Sequence, residues 1–176
     1  MAAGNTYSQI TGGSVTLGSA ASSVTFSSIP ATHTDLVLIT AVPGFTGGNN
    51  SRGYRFELNG DTASNYSSTQ LNNSTTTVVS SRETSQTRGR IGFLSETTND
   101  VSNGIAHFMN YSNTTTFKTV LGRTSNMSTN GDANVFLGVS LWRATPAAIV
   151  TIKLTLSDNS NFPIGSTFNL YGITAA

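Results

Sequence analysis

Short apolar runs that alternate with polar residues, each closed by Gly, Pro, Asn, Asp or Ser, dominate this chain. In Gly53–Leu58, Tyr54, Phe56 and Leu58 share one parity, and Arg55 and Glu57 the other. Period-two alternation sends successive side chains to opposite faces of a pleated strand, whereas a helix needs apolar spacing of three and four. No window of ~11–18 residues sustains the helical spacing. The chain is therefore expected to be all-β.

Composition supports this reading. Ser, Thr and Asn fill roughly two positions in five, and only 10% of residues are charged. Thr suits a half-buried pleated surface, while Ser and Asn suit tight turns. At 176 residues one domain is expected, because single domains commonly run ~50–200 residues. Strands are predicted at Ser14–Leu17, Ser23–Ile29, Asp35–Val42, Gly53–Leu58, Tyr66–Leu71 and Thr77–Ser81, with an exposed loop over Arg82–Arg88. In the second half they are predicted at Arg90–Leu94, Gly104–Tyr111, Phe117–Gly122, Asn134–Trp142, Ala148–Leu156 and Thr167–Ile173, with a turn at Asn130–Asp132. In Ser23–Ile29, Val24, Phe26 and Ile29 are expected to face inward. Asn59-Gly60, directly after an alternating run, is the strongest short hairpin signal in the chain. Asp35–Val42 is apolar on both parities, so it is expected to lie centrally or at a subunit interface. About ten strands in one domain imply an antiparallel two-sheet β-sandwich, jelly-roll-like, since paired sheets limit exposed edges. Residues 1–13 are expected to form an N-terminal arm and residues 14–176 the single sandwich domain.

The residues that carry chemistry are sparse. A formal net charge of +1 gives no basis for nucleic-acid binding. No stretch reaches the ~18 apolar residues of a membrane helix, and no basic and apolar leader opens the chain. The absence of Cys removes disulfides and thiolate metal sites, and places synthesis in a cytosol. Asp61, Asp100, Asp132 and Asp158 stand beside Asn, Gly or Ser, where turn chemistry explains them. They do not suggest the facing carboxylates of a glycosidase. His107 falls in an apolar strand, as a hydrogen-bonded wall or core residue. His33-Thr34-Asp35 has the residue types of a triad, but no Gly-x-Ser-x-Gly elbow accompanies it. No metal-ligand spacing, calcium loop or phosphate-binding Gly motif is present. No catalytic residue, metal or cofactor is therefore expected, and the chain is read as no enzyme. Arg82, Arg88 and Arg90 form the only local basic cluster, read as a solvated edge or as a contact for an acidic partner surface. Trp142 is expected in the core, and Tyr66 and Tyr111 are expected as exposed candidates for a carbohydrate contact.

Three blocks together carry a resemblance. They are Ser23–Leu38, Tyr54–Ser67, and Leu141-Trp-Arg-Ala-Thr with Ile149–Leu156 and Asn161–Ile173. From about Tyr7 to Ile173 the chain resembles a family of tailed-phage virion proteins frequent in cyanophages and other aquatic phages. The matching motifs are strands and turns, so no catalytic residue is carried over. In that family the domain often ends a longer tail or fibre protein. With few residues before the first strand here, the resemblance implies a capsid cement or decoration protein. The expected assembly is a homotrimer on the major capsid protein, made in the host cytoplasm and resident in the virion. The alternative implied by the resemblance is a tail-fibre or receptor-binding tip that contacts host glycans.

Overall fold

The computed structural model describes residues 6–45, 52–74, 77–95, 97–127 and 133–174. Among them are twelve strands and no helix: β1 (Tyr7–Thr16), β2 (Val24–Phe26), β3 (Asp35–Pro43), β4 (Arg52–Leu58), β5 (Tyr66–Ser74), β6 (Thr77–Gln86), β7 (Gly89–Leu94), β8 (Val101–Met109), β9 (Lys118–Met127), β10 (Ala133–Trp142), β11 (Ile152–Leu156) and β12 (Thr167–Ile173). They form two antiparallel sheets. The large sheet runs β1-β12-β3-β8-β9-β10-β5-β6 and the small sheet β2-β11-β4-β7.

The alternating runs supply the core between the sheets. Leu36, Leu38 and Leu170 from the large sheet join Tyr54, Phe56, Leu58, Ile152, Leu154 and Leu156 from the small one, all fully buried. Aromatic rings bridge the layers edge to face, with Phe56 on β4 lying 5.6 Å from Phe108 on β8 and 6.1 Å from Tyr66 on β5. This T-shaped arrangement sets the positive edge of one ring on the negative face of the next. Val24, Phe26 and Ile29 point inward, and β3 lies centrally between β12 and β8, both as its residues predict.

Four expectations need correction. The first strand begins at Tyr7, so much of the expected arm is sheet. Tyr7 to Gln9 pair with Ile173 to Tyr171, and pairing resumes at Ser14 after a register shift. Gly12, at φ 71°, makes that irregularity, which breaks the alternation and hides the strand. Second, Arg82–Gln86 belongs to β6 and is not a loop. Third, Asn59 (φ 52°) and Gly60 (φ 71°) form a tight turn closed by Asp61 N–H to Leu58 C=O at 2.9 Å. That turn closes no hairpin, because β4 belongs to the small sheet and β5 to the large one. Fourth, Tyr66 and Tyr111 are fully buried. The Tyr66 hydroxyl accepts from Leu58 N–H and donates to the Asp61 carbonyl, each at 3.0 Å. The Tyr111 hydroxyl accepts from His33 N–H and donates to the Pro30 carbonyl. The expected turn at Asn130–Asp132 lies outside the described residues.

β7, at the edge of the small sheet, packs directly on β9. A Cβ on Gly122 would lie 2.4 Å from the Ile91 carbonyl oxygen, so only glycine lets the two backbones meet there. Thr124 Oγ1 accepts from Phe93 N–H at 3.1 Å, which satisfies part of that edge from the opposite layer.

Candidate functional site

The outer face of the large sheet is turned to solvent, and like the core face it carries apolar side chains. Alternation along β3, β8, β9, β10 and β5 sends a second set of side chains away from the core. The cross-strand register aligns them in rows: Val37, His107, Leu121 and Val139 in one, and Ile39, Ile105, Arg123, Leu137 and Leu71 in the next. Ile39, Leu137, Val139 and Leu71 are 42%, 45%, 44% and 49% exposed, and as neighbours in register they form a contiguous patch rather than scattered single residues. A shallow groove of about 380 Å³ runs among Tyr7, Val37, Ile39, Ile105, His107, Leu121, Arg123 and Leu137. The Asp35–Val42 run is thus apolar on both faces because one meets the core and the other meets this groove.

Polar groups punctuate the groove. His107 Nε2 lies 3.0 Å from Asp35 Oδ2, and Asp35 Oδ1 accepts from Asn110 N–H. Asp35 therefore serves His107 and not His33. The His33 ring sits over Gly172, with Nε2 2.7 Å from Ser8 Oγ and Nδ1 3.1 Å from Thr32 Oγ1. The three residue types of His33-Thr34-Asp35 are not brought together as a triad.

Of the turn-type carboxylates, Asp61, Asp100 and Asp158 lie at turns, and Asp132 lies outside the described residues. Asp61 accepts from Ala63 N–H, Asn65 Nδ2 and the buried Trp142 Nε1, the last at 2.6 Å. Burial opposes its charge, yet these donors prevail and hold its pKa below the ordinary value. Asp158 accepts from Ser160 N–H and from Arg52, at 3.1 and 2.7 Å. Asp100 accepts from Met127 N–H. Among the described residues no group of three or more His, Cys, Asp or Glu is placed to hold a metal.

The second polar feature lies on the outer face of the small sheet. Alternation along β4 turns Arg55 and Glu57 outward, and Lys153 on β11 pairs opposite Glu57. From β6, Glu83 reaches this face. Arg55 grips it in a two-pronged fork at 2.8 and 3.2 Å, and Arg90 on β7 adds bonds of 2.5 and 3.3 Å. The Arg90 guanidinium is buried and stacks 4.5 Å from the Phe93 ring centre. Burial and the neighbouring Arg55 charge push its pKa down, against the pull of Glu83. The basic cluster of the sequence is therefore divided. Arg88 and Arg90 join Arg55 on the small sheet, while Arg82 pairs opposite Thr69 and faces out from the large one. Glu83 and Arg55 had no local signal linking them, because they lie on different sheets.

The chain matches no known family, no curated protein and no solved structure.

Proposed function

We propose that this chain is a structural protein of a tailed-phage virion, a capsid cement or decoration protein that assembles as a homotrimer on the major capsid shell. The carrying observation is the exposed aliphatic field of the large sheet, Ile39, Leu137, Val139 and Leu71 among it. A face of this kind is what an assembly component buries against a neighbour. The winding of the strands supports the reading. With the β5–β6 and β9–β10 pairs set aside, the other eight strands fall into β1-β12-β3-β8 and β2-β11-β4-β7. We read this as a jelly roll extended on one sheet by four added strands, and jelly rolls serve in viral capsids and in lectins. That is an analogy of fold, and the sequence resemblance to virion proteins points the same way.

A receptor-binding tip is the second reading. Tyr7, 55% exposed at the groove that also holds His107 and Arg123, favours it as a platform for a host sugar. Sedimentation of the purified chain and its mixing with undecorated capsid shells test the proposal. A trimer that coats shells is the expected result. A monomer that ignores shells, or localisation to the tail of intact virions by electron microscopy, would overturn it.

A further inference from the structure

The basic face of the small sheet holds a cleft of about 160 Å³ lined by Arg55, Gln86, Thr87, Arg88 and Ser157. Its charges do not balance. Among the described residues, Arg55, Arg88, Arg90 and Lys153 are four cations on this face, and Glu57 and Glu83 are the two carboxylates paired with them, which leaves two positive charges in excess. The nearby Arg52 is itself paired with Asp158 at 2.7 Å. Glu83 is shared by two guanidinium groups. Glu57 lies 3.4 Å from Lys153 and only 4.0 Å from Arg88 Nε.

The donors are also in surplus. Each guanidinium offers five N–H groups. Arg88 Nη1 reaches Thr155, Leu156 and Asn159 at 3.2, 3.4 and 3.5 Å, a loose hold. Arg90 Nη1 is buried without a hydrogen-bond partner. It borders the same spot above Gly53 as Ser157, since a Cβ on Gly53 would meet Arg90 Nη1 at 3.2 Å and Ser157 Oγ at 2.9 Å. Ser157 Oγ accepts from Gly53 N–H at 3.1 Å, so its own proton is free to point outward.

We propose that this cleft binds an oxyanion, a sulfate, phosphate or carboxylate group held between Arg55 and Arg88 with the Ser157 and Thr87 hydroxyls as further donors. Forked guanidinium groups match the paired oxygens of such groups, and two uncompensated charges select for an anion over a neutral ligand. The inference stands apart from the virion reading.

The test is titration of isotope-labelled protein with sodium sulfate and with sodium acetate, each against sodium chloride at matched ionic strength. The readout is the amide resonances of Thr87, Arg88 and Ser157 and the side-chain N–H resonances of Arg55 and Arg88. Saturable shifts confined to these groups are expected, with Arg88→Gln weakening sulfate binding at least tenfold and Arg82→Gln leaving it unchanged. If Arg88→Gln does not fold, Ser157→Ala carries the test, with a several-fold loss expected. Shifts that follow ionic strength alone, or sulfate binding that survives both variants, would overturn the proposal. A heparin-derived sulfated disaccharide distinguishes the source. Tighter binding than inorganic sulfate marks a saccharide-borne group, and equal or weaker binding marks the free ion.

Discussion

The Ser140 hydroxyl on β10 donates to the Arg90 carbonyl at 2.9 Å and accepts from the Arg90 amide at 3.0 Å. One side chain of the large sheet thus completes the backbone of the edge strand of the small one. Since its single proton goes to Arg90, the 2.7 Å contact with Ser68 must have Ser68 as donor. Ser140→Ala leaves a buried N–H and C=O without a partner. It should lower unfolding free energy by about 1–3 kcal/mol. Urea denaturation followed by the fluorescence of the lone Trp142 measures it, and a loss under about 0.5 kcal/mol would remove the proposed role.

The close approach of β7 and β9 gives a second test. Gly122→Ala would drive its methyl group into the Ile91 backbone, whereas Gly18 has open space around its Cβ position. Gly122→Ala is expected to destabilise by about 1–3 kcal/mol, as overpacking does, with Gly18→Ala near neutral. Thermal melts of the two variants side by side decide the matter.

Acid should weaken the fold through Glu83. Burial opposes its carboxylate, but the hydrogen bonds and charges of Arg90 and Arg55 outweigh it and hold the pKa below the ordinary value. The folded chain then binds fewer protons than the unfolded chain in the acidic range. This contribution is complete above the ordinary Glu pKa of ~4.3 and is lost as pH falls through the lowered folded value. Glu83→Gln should be less stable at neutral pH and lose less on acidification. Urea midpoints measured near neutral pH and near ~pH 3 check it, and identical pH slopes in the two proteins would refute it.

The outer face makes a prediction about assembly. Ile39 is 42% exposed, so Ile39→Glu should change folding stability by less than about 1 kcal/mol. It should, however, dissociate any assembly that buries the groove. Sedimentation velocity of both proteins measures this, and an unchanged sedimentation coefficient for an oligomeric variant places the interface elsewhere.

The elements readable in the sequence are those with a buried face and a regular period. Tyr54, Phe56 and Leu58 declare β4 as clearly as Ile152, Leu154 and Leu156 declare β11. Only the first half of β6 was legible, and its continuation through Arg82–Gln86 escaped because an edge strand of Ser, Thr and charged residues has no buried face to mark its period. Asn59-Gly60 specifies a turn by local backbone preference alone, and nothing local states which sheet the chain joins afterwards. Tyr66 and Tyr111 look like surface residues among Asn and Ser, and only partners met in the fold, such as Leu58, Pro30 and His33, make their burial tolerable. The same limit applies to the sites. The arginine cluster could be seen in the chain, but its union with Arg55 and Glu83, and the continuity of the outer apolar rows, exist only after strands distant in sequence are set side by side.

The β5–β6 pair has one further consequence. β6 lies at the rim of the large sheet, mostly exposed along its length, and Val78 is 71% exposed. Beyond its ladder to β5 and the two-residue link Thr87-Arg88 into β7, the ion pairs that tie it to the small sheet among the described residues are those of the Glu83 carboxylate with Arg55 and Arg90. That carboxylate is a latch on a flange. Amide hydrogens of β6 should exchange with solvent by local opening well before those of β3 or β11, and the latch sets how far the flange can swing before the rest of the molecule responds.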